Sequence, residues 1–219
     1  YSRMFSLSGD DLRKNILGCG DGPACFNAEL SRAGGNVISV DPIYQFNANQ
    51  IRSRIDEVYP QIMQQVIKNQ GDYVWKDIQD SEALGKIRMD AMRTFLSDHE
   101  SVEGAAEIVS ENTGRYLNAS LPALPFDDSA FDLALCSHYL FLYSEHVNKE
   151  QHILSMKELC RVANEVRVYP LLAIGDNKRS PHLEPVIKAL EDDGMIVSLI
   201  PVEYEFQKGA TEMLVARSV

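Results

Sequence analysis

Gly18, Gly20 and Gly22 stand at alternate positions in Lys14-Asn15-Ile16-Leu17-Gly18-Cys19-Gly20-Asp21-Gly22-Pro23, and Asp41 closes the apolar run Asn36-Val37-Ile38-Ser39-Val40. Glycines at such spacing let a backbone turn with φ > 0 and approach a ligand closely. A carboxylate roughly 20 residues beyond such a turn is placed to meet the hydroxyls of a ribose. Gly18, Cys19, Gly20, Gly22, Asp41 and its neighbour Pro42 are therefore candidate nucleoside contacts. A second polar cluster, Ser137-His138, follows the apolar run Phe131-Asp132-Leu133-Ala134-Leu135-Cys136. His138 is the best single candidate for a catalytic group, and a histidine merely hydrogen-bonded in the following segment is its bland counterpart.

These residues need a buried strand before each of them. Ile16 and Leu17 read as one strand, Val37 to Val40 as a second, and Phe131 to Cys136 as a central parallel strand. Pro23 suits the first position of a helix, which is expected to run from Ala24 to Ser31, to bury Phe26, Leu30 and Ala33, and to stop at Gly34. Strand, glycine turn, helix and strand make a nucleoside-binding βαβ unit.

The glycine register decides which nucleoside fits. A dinucleotide fingerprint requires G-x-G-x-x-G/A, but from Gly18 the last position is Pro23 and from Gly20 it is Cys25. The G-x-G-x-G form present here resembles the first motif of the class I methyltransferases that use S-adenosylmethionine. Two later segments resemble that family more specifically: Leu124-Pro125-Phe126 followed by Phe131-Asp132-Leu133, and Glu158-Leu159-Cys160-Arg161-Val162. The resemblance implies a doubly wound, mostly parallel seven-stranded α/β sheet ending in an antiparallel hairpin, with S-adenosylmethionine as cofactor and S-adenosylhomocysteine as product. It also implies that the glycine turn holds the methionine portion, Asp41 the ribose, Ser120 and Leu121 the adenine edge, and Ser137 with His138 the reacting end. The chain departs from the family at Ile16, where an acidic residue is usual, at Ser120, where an Asp is frequent, and at Ala163-Asn164, where a glycine pair is usual.

Between Asp41 and the next strand-like run, Arg115 to Ala119, lies a stretch too long for a loop. Ile51, Ile55, Val58, Ile62 and Val66 recur at helical spacing, with Pro60 marking a kink or a second start. A further helix capped by Ser81 is expected to carry Leu84, Ile87, Ala91, Met92, Phe95 and Leu96, and a third to span Val102 to Val109. This helical insertion at about 45–114 sits within a single domain, 1–219, and reads either as extra packing or as a lid, with Tyr73, Trp75, Arg88 and Arg93 as candidate pocket groups. The N-terminal segment is expected to pack Met4, Phe5 and Leu7 on the sheet, or else to bring Arg3 over the cofactor's carboxylate. Downstream, Asn148 and Gln151 form a capping box, Pro170 marks a bulge or the end of the fifth strand, and Gln207 to Ala210 join two terminal strands.

Composition narrows the partners. With 32 acidic against 21 basic residues the net charge is −11, which repels a phosphate backbone and makes a nucleic-acid substrate unlikely. No apolar run reaches the ~20 residues of a membrane span, and no signal-peptide pattern is visible, so a cytoplasmic protein is expected. Cys19, Cys25, Cys136 and Cys160 lack C-x-x-C spacing, and the five histidines lack paired spacing, so no metal site is expected. Three classes remain: methyl transfer from S-adenosylmethionine to a small soluble acceptor, a catalytically inactive nucleoside- or protein-binding member of the same fold, and an NAD-dependent oxidoreductase, which the glycine register and terminal hairpin disfavour.

Overall fold

The computed structural model describes residues 1–106, 114–175 and 177–218. Seven strands form one sheet: β1 (Asn15–Cys19), β2 (Asn36–Val40), β3 (Tyr116–Leu117), β4 (Phe131–Ser137), β5 (Ala163–Tyr169), β6 (Ile196–Pro201) and β7 (Glu212–Arg217). Their order across the sheet is β3-β2-β1-β4-β5-β7-β6. Neighbours are parallel from β3 through β5, and β7 runs antiparallel to both β5 and β6. This is the doubly wound sheet with a terminal hairpin that the sequence implies. Register fixes the geometry of its working edge: Cys19 lies opposite both Val40 and Cys136, so Gly20, Asp41 and Ser137 leave three adjacent strands side by side.

Helices cover both faces of the sheet, as the buried residues of β4 require. Ala134 and Cys136 face one way, into a core with Met156 and Leu159 of α4 (Lys149–Val162) and Val186 and Leu190 of α5 (Leu183–Asp192). Leu133 and Leu135 face the other way, into a core with Phe26 and Leu30 of α1 (Phe26–Arg32) and with Phe5. That alternation is the two-residue period of a strand covered on both sides. The capping box of α4 is present, with Asn148 Oδ1 accepting from the Gln151 N–H at 2.9 Å, and β5 ends just before Pro170.

The N-terminal arm packs on the sheet through Phe5, with Met4 and Leu7 alongside. It is fastened by Arg167, 7% exposed, which donates to the Phe5 carbonyl at 2.8 Å and to the Asp11 carboxylate at 3.1 and 3.3 Å. Burial alone would raise the Asp11 carboxyl, but hydrogen bonds from Lys14 and Ser8 and the Arg167 charge hold it well below the usual range. Arg3 pairs with Asp77 at 2.9 Å on the surface.

A second staple joins the two segments that carry the family resemblance. Arg161 donates to Glu158, to the carbonyls of Phe126 and Leu124 and to Asp128, while Glu158 Oε1 accepts from the Leu124 N–H at 2.6 Å. The pair at the end of α4 thus holds the Leu-Pro-Phe turn that leads into β4, which is why the two motifs occur together.

The insertion consists of α2 (Ala48–Lys68) and α3 (Ser81–Ala106), between β2 and β3. Pro60 sits inside α2, which continues through it as one helix. Several boundaries differ from the sequence expectation. α1 starts at Phe26 and not at Ala24, because Gly22 and Pro23 still belong to the turn held by Asp41, and Ala33 is exposed while Asn27 and Ala28 are buried. The Ala83 N–H is accepted by Asp80 Oδ1 at 2.8 Å, so Asp80 and not Ser81 caps α3. No break precedes Val102: α3 runs on to Ala106, and the remainder of the expected third helix, 107–109, lies outside the described residues.

The insertion is tied at both ends. Arg115, before β3, donates from Nη2 to both carboxylate oxygens of Asp98 of α3 at 2.9 Å, and the Tyr116 hydroxyl donates to the same carboxylate. At the other end, Phe206 of the β6–β7 connection stacks on Tyr73, with ring centroids 4.8 Å apart, and meets Trp75 edge to face.

Candidate active site

The carboxyl ends of β1, β2 and β4 open into a cavity of about 1090 Å³. Its floor is built by Gly20, Asp21 and Pro23 of the glycine turn, Pro42 and Ile43 after β2, and Ser137 and His138 after β4, and its walls rise along α2 and α3. Crevices at the strand ends of a doubly wound sheet are where ligands of this architecture sit.

The glycine turn has a specific cause at two positions. A side chain at Gly18 would place its Cβ 1.9 Å from Asp21 Oδ2, so the strand must be bare where the Asp21 carboxylate folds back on it. Gly20 has φ +68°, and a Cβ there would lie 2.9 Å from the Tyr139 ring. Asp41 then grips the turn from the next strand: Oδ2 accepts from the Gly22 N–H and Oδ1 from the Ile43 N–H, both at 2.9 Å. Burial raises its pKa, and these two hydrogen bonds oppose that rise.

Asp21 lines the cavity, a position that motif reasoning does not mark. It is half-buried, with its carboxylate folded back toward Gly18, and burial pushes its pKa up to about 6 against hydrogen bonds donated by Ser39 at 2.6 Å and Tyr1 at 2.8 Å. Ser39 in turn accepts from Asn27, whose Oδ1 accepts from Arg115, so a polar chain runs from the turn to the Asp98 clamp on α3. The variable middle positions of a G-x-G-x-G turn carry no expected role, so only the adjacency of Asp21 to bare Gly18 could have signalled it.

Ser137 and His138 stand together at the end of β4. Ser137 Oγ lies 2.8 Å from His138 Nδ1, and His138 takes a left-handed backbone conformation at φ +52°, which few non-glycine residues adopt. The residue lines the cavity and is exposed, its ring edge-on to Tyr169 at 5.8 Å between centroids. Burial, aided by the nearby charge of Arg88, lowers its pKa to about 4, so it is a neutral base at pH 7.

Other sequence candidates fall elsewhere. Cys19 is 1% exposed, behind the turn. Gly18, Gly22 and Asp41 shape the turn without lining the cavity, and Ser120 and Leu121 also lie outside its lining, Leu121 packing on the sheet. Ile16 is buried in the core, so it offers no polar contact. Of the four insertion residues, Arg88 lines the cavity; Tyr73 and Trp75 pack on Phe206, and Arg93 pairs with Asp90 on the surface.

Strand order and terminal hairpin define the class of the fold as Rossmann-like, a doubly wound α/β sheet closed by an antiparallel hairpin. No family model matches the chain. It is 27% identical over 220 residues to an uncharacterized protein of Methanocaldococcus jannaschii, an alignment spanning 99% of this chain and 91% of that one. Among solved structures it is similar to magnesium protoporphyrin IX methyltransferase from Synechocystis with bound S-adenosylmethionine, at 13% identity and a TM-score of 0.47 over 96% of this chain and 73% of that one. It is also similar to a Methanosarcina mazei protein described as an S-adenosylmethionine-dependent methyltransferase, at 14% identity and a TM-score of 0.45 over 94% and 92% of the two chains.

Proposed function

We propose that the protein is a class I methyltransferase that transfers a methyl group from S-adenosylmethionine to a small-molecule acceptor. The observation that carries this reading is that three register-matched strand ends bring Gly20 and Asp21, Pro42, and Ser137-His138 to one cavity, with Asp41 bracing the turn beside it. The donor set suits the cofactor's chemistry, because the ligand is cationic and the turn presents carboxylates at Asp21 and Asp41. Asp41, already fixed by two backbone N–H groups, keeps lone pairs for ribose hydroxyls. Asp21 supplies the carboxylate for the methionine ammonium that position 16 lacks. Pro42 and Ile43 offer an apolar surface for the adenine, next to the edge assigned to Ser120 and Leu121.

S-adenosylmethionine, when bound, supplies an electrophilic methyl on a sulfonium that is already a good leaving group. The protein's task is to hold the acceptor in line with it, for which orientation can contribute ~7 to 11 kcal/mol. The insertion acts as a lid by walling the cavity from water. His138, neutral and beside Ser137, takes the proton of a hydroxyl or ammonium acceptor, worth about 10²- to 10⁴-fold.

Calorimetry tests the reading: S-adenosylhomocysteine binds, NADH does not, and Asp41→Ala weakens the former. Unchanged affinity in that variant would show that the ribose is held elsewhere. A second reading, binding without transfer, is favoured by the departures at Ile16, which is buried in the core, and Ser120, which lies outside the cavity lining. Incubation with labelled methyl donor and a metabolite extract separates the two: binding of S-adenosylhomocysteine without any transfer supports the binder.

A further inference from the structure

The cavity is larger than one nucleoside ligand needs. Single-ligand pockets enclose about 300–1,000 Å³, and this one encloses about 1090 Å³. Away from the glycine turn its walls are apolar: Ile55, Val58 and Ile62 on α2, and Ile87, Ala91 and Met92 on α3. The apolar stripes of these two helices therefore divide. Ile51, Phe95 and Leu96 pack together in the core, whereas Ile62 and Ile87 remain 38% and 52% exposed at the void. Clustered exposed apolar surface of this kind marks a binding site.

Two cations border this apolar space, Arg54, which is paired with Glu57, and Arg88. Arg88 lines the cavity, and its charge acts on both His138 and Tyr204. Neighbouring arginines are engaged, Arg3 with Asp77, Arg54 with Glu57 and Arg93 with Asp90, but Arg88 makes no ion pair among the described residues. In a chain of net charge −11, a guanidinium turned into an apolar void is complementary to an anion.

We propose that the part of the cavity between α2 and α3 binds a lipophilic anion, with its apolar body along Ile55, Val58, Ile62 and Ile87 and its carboxylate against Arg88. Where the methyltransferase reading applies, this molecule is the acceptor; the binding itself is measured without any methyl donor. The acidic exterior points to a soluble acceptor, and the lining of the cavity specifies its character: amphipathic, with its charge at one end.

Calorimetry with dodecanoate, dodecyltrimethylammonium and butanoate, each below its micellar concentration, tests the proposal, with displacement of 1-anilinonaphthalene-8-sulfonate as a second readout. Dodecanoate binds one to one and displaces the dye, the cation binds at least roughly tenfold more weakly, and butanoate at least roughly a hundredfold more weakly because it lacks most of the buried methylenes. Arg88→Met keeps the apolar stem, loses the charge and weakens dodecanoate roughly tenfold or more, while Ala91→Trp fills the void and abolishes binding. Equal affinity for the anion and the cation, or an Arg88→Met affinity equal to wild type, overturns the proposal, and the first comparison needs no variant. S-adenosylhomocysteine affinity measured alongside keeps the outcomes apart: its loss with dodecanoate retained counts against the methyltransferase reading alone, and the converse against this inference alone.

Discussion

If Asp21 receives the ammonium of S-adenosylhomocysteine, binding must expel the proton that the carboxyl carries at low pH. With a pKa of about 6 in the free protein, about one carboxyl in ten is ionised at pH 5 and about nine in ten at pH 7. Affinity should therefore rise roughly tenfold between those values, or ~1.4 kcal/mol. Calorimetry at pH 5, 6 and 7 in two buffers of different ionisation heat measures both the affinity and the released proton, which falls from about 0.9 at pH 5 to about 0.1 at pH 7. His138, lowered to about 4, is already neutral across this window. Asp41 is also raised, so Asp21→Asn is needed to separate the two carboxylates. In that variant the profile flattens, and affinity at pH 7 drops roughly ten- to a hundredfold for one lost charge-assisted hydrogen bond. The same raised pKa makes a statement about folding. Its stabilising contribution is complete below the unfolded value near 3.8, is lost as pH rises through about 6, and is at most ~3 kcal/mol. A pH-independent affinity in the wild type, or an Asp21→Asn protein that binds as tightly as wild type at pH 7, would refute the assignment.

Other perturbations have equally direct readouts. Gly20→Ala forces a Cβ against the Tyr139 ring at a left-handed position, costing ~1–2 kcal/mol locally, and should lower the melting temperature while abolishing S-adenosylhomocysteine binding. Arg167→Met leaves the Phe5 carbonyl buried without this donor and the Asp11 carboxylate held by Lys14 and Ser8 alone, and should destabilise the protein by roughly 1–3 kcal/mol in urea titration. His138→Gln should slow transfer to a hydroxyl acceptor by about 10²- to 10⁴-fold with little change in S-adenosylhomocysteine affinity, read by a labelled-methyl assay and calorimetry in parallel.

Much of the fold could be read because its signals are local. The glycine spacing, the apolar runs of Ile16-Leu17 and Leu133 to Cys136, the Asn148–Gln151 cap and the hairpin turn at Gln207 to Ala210 each depend on a few adjacent residues. The start of α1 is not legible in the sequence because the Asp41 carboxylate holds Gly22 from another strand, a contact that no window around Pro23 contains. The continuity of α3 past Leu96 depends likewise on Asp98 meeting Arg115 and Tyr116, residues 17 and 18 positions away. Of the residues read from the strand ends, Gly20, Pro42, Ser137 and His138 line the cavity. Asp21 and the division of the two helical stripes between core and cavity emerge only when the insertion is folded over the sheet, since periodicity reports that a helix face is apolar and not what covers it.

The aromatic grip of Tyr73 and Trp75 on Phe206 has a consequence for how such a chain can change over time. The tip of the carboxyl-terminal hairpin is the third member of that grip, although roughly 130 residues of chain separate it from the other two. Grafting a foreign insertion onto this scaffold would leave Phe206 bereft of its companions, and shortening the hairpin would unmoor the helices overhead. The two segments can diversify only in concert, as one inherited module.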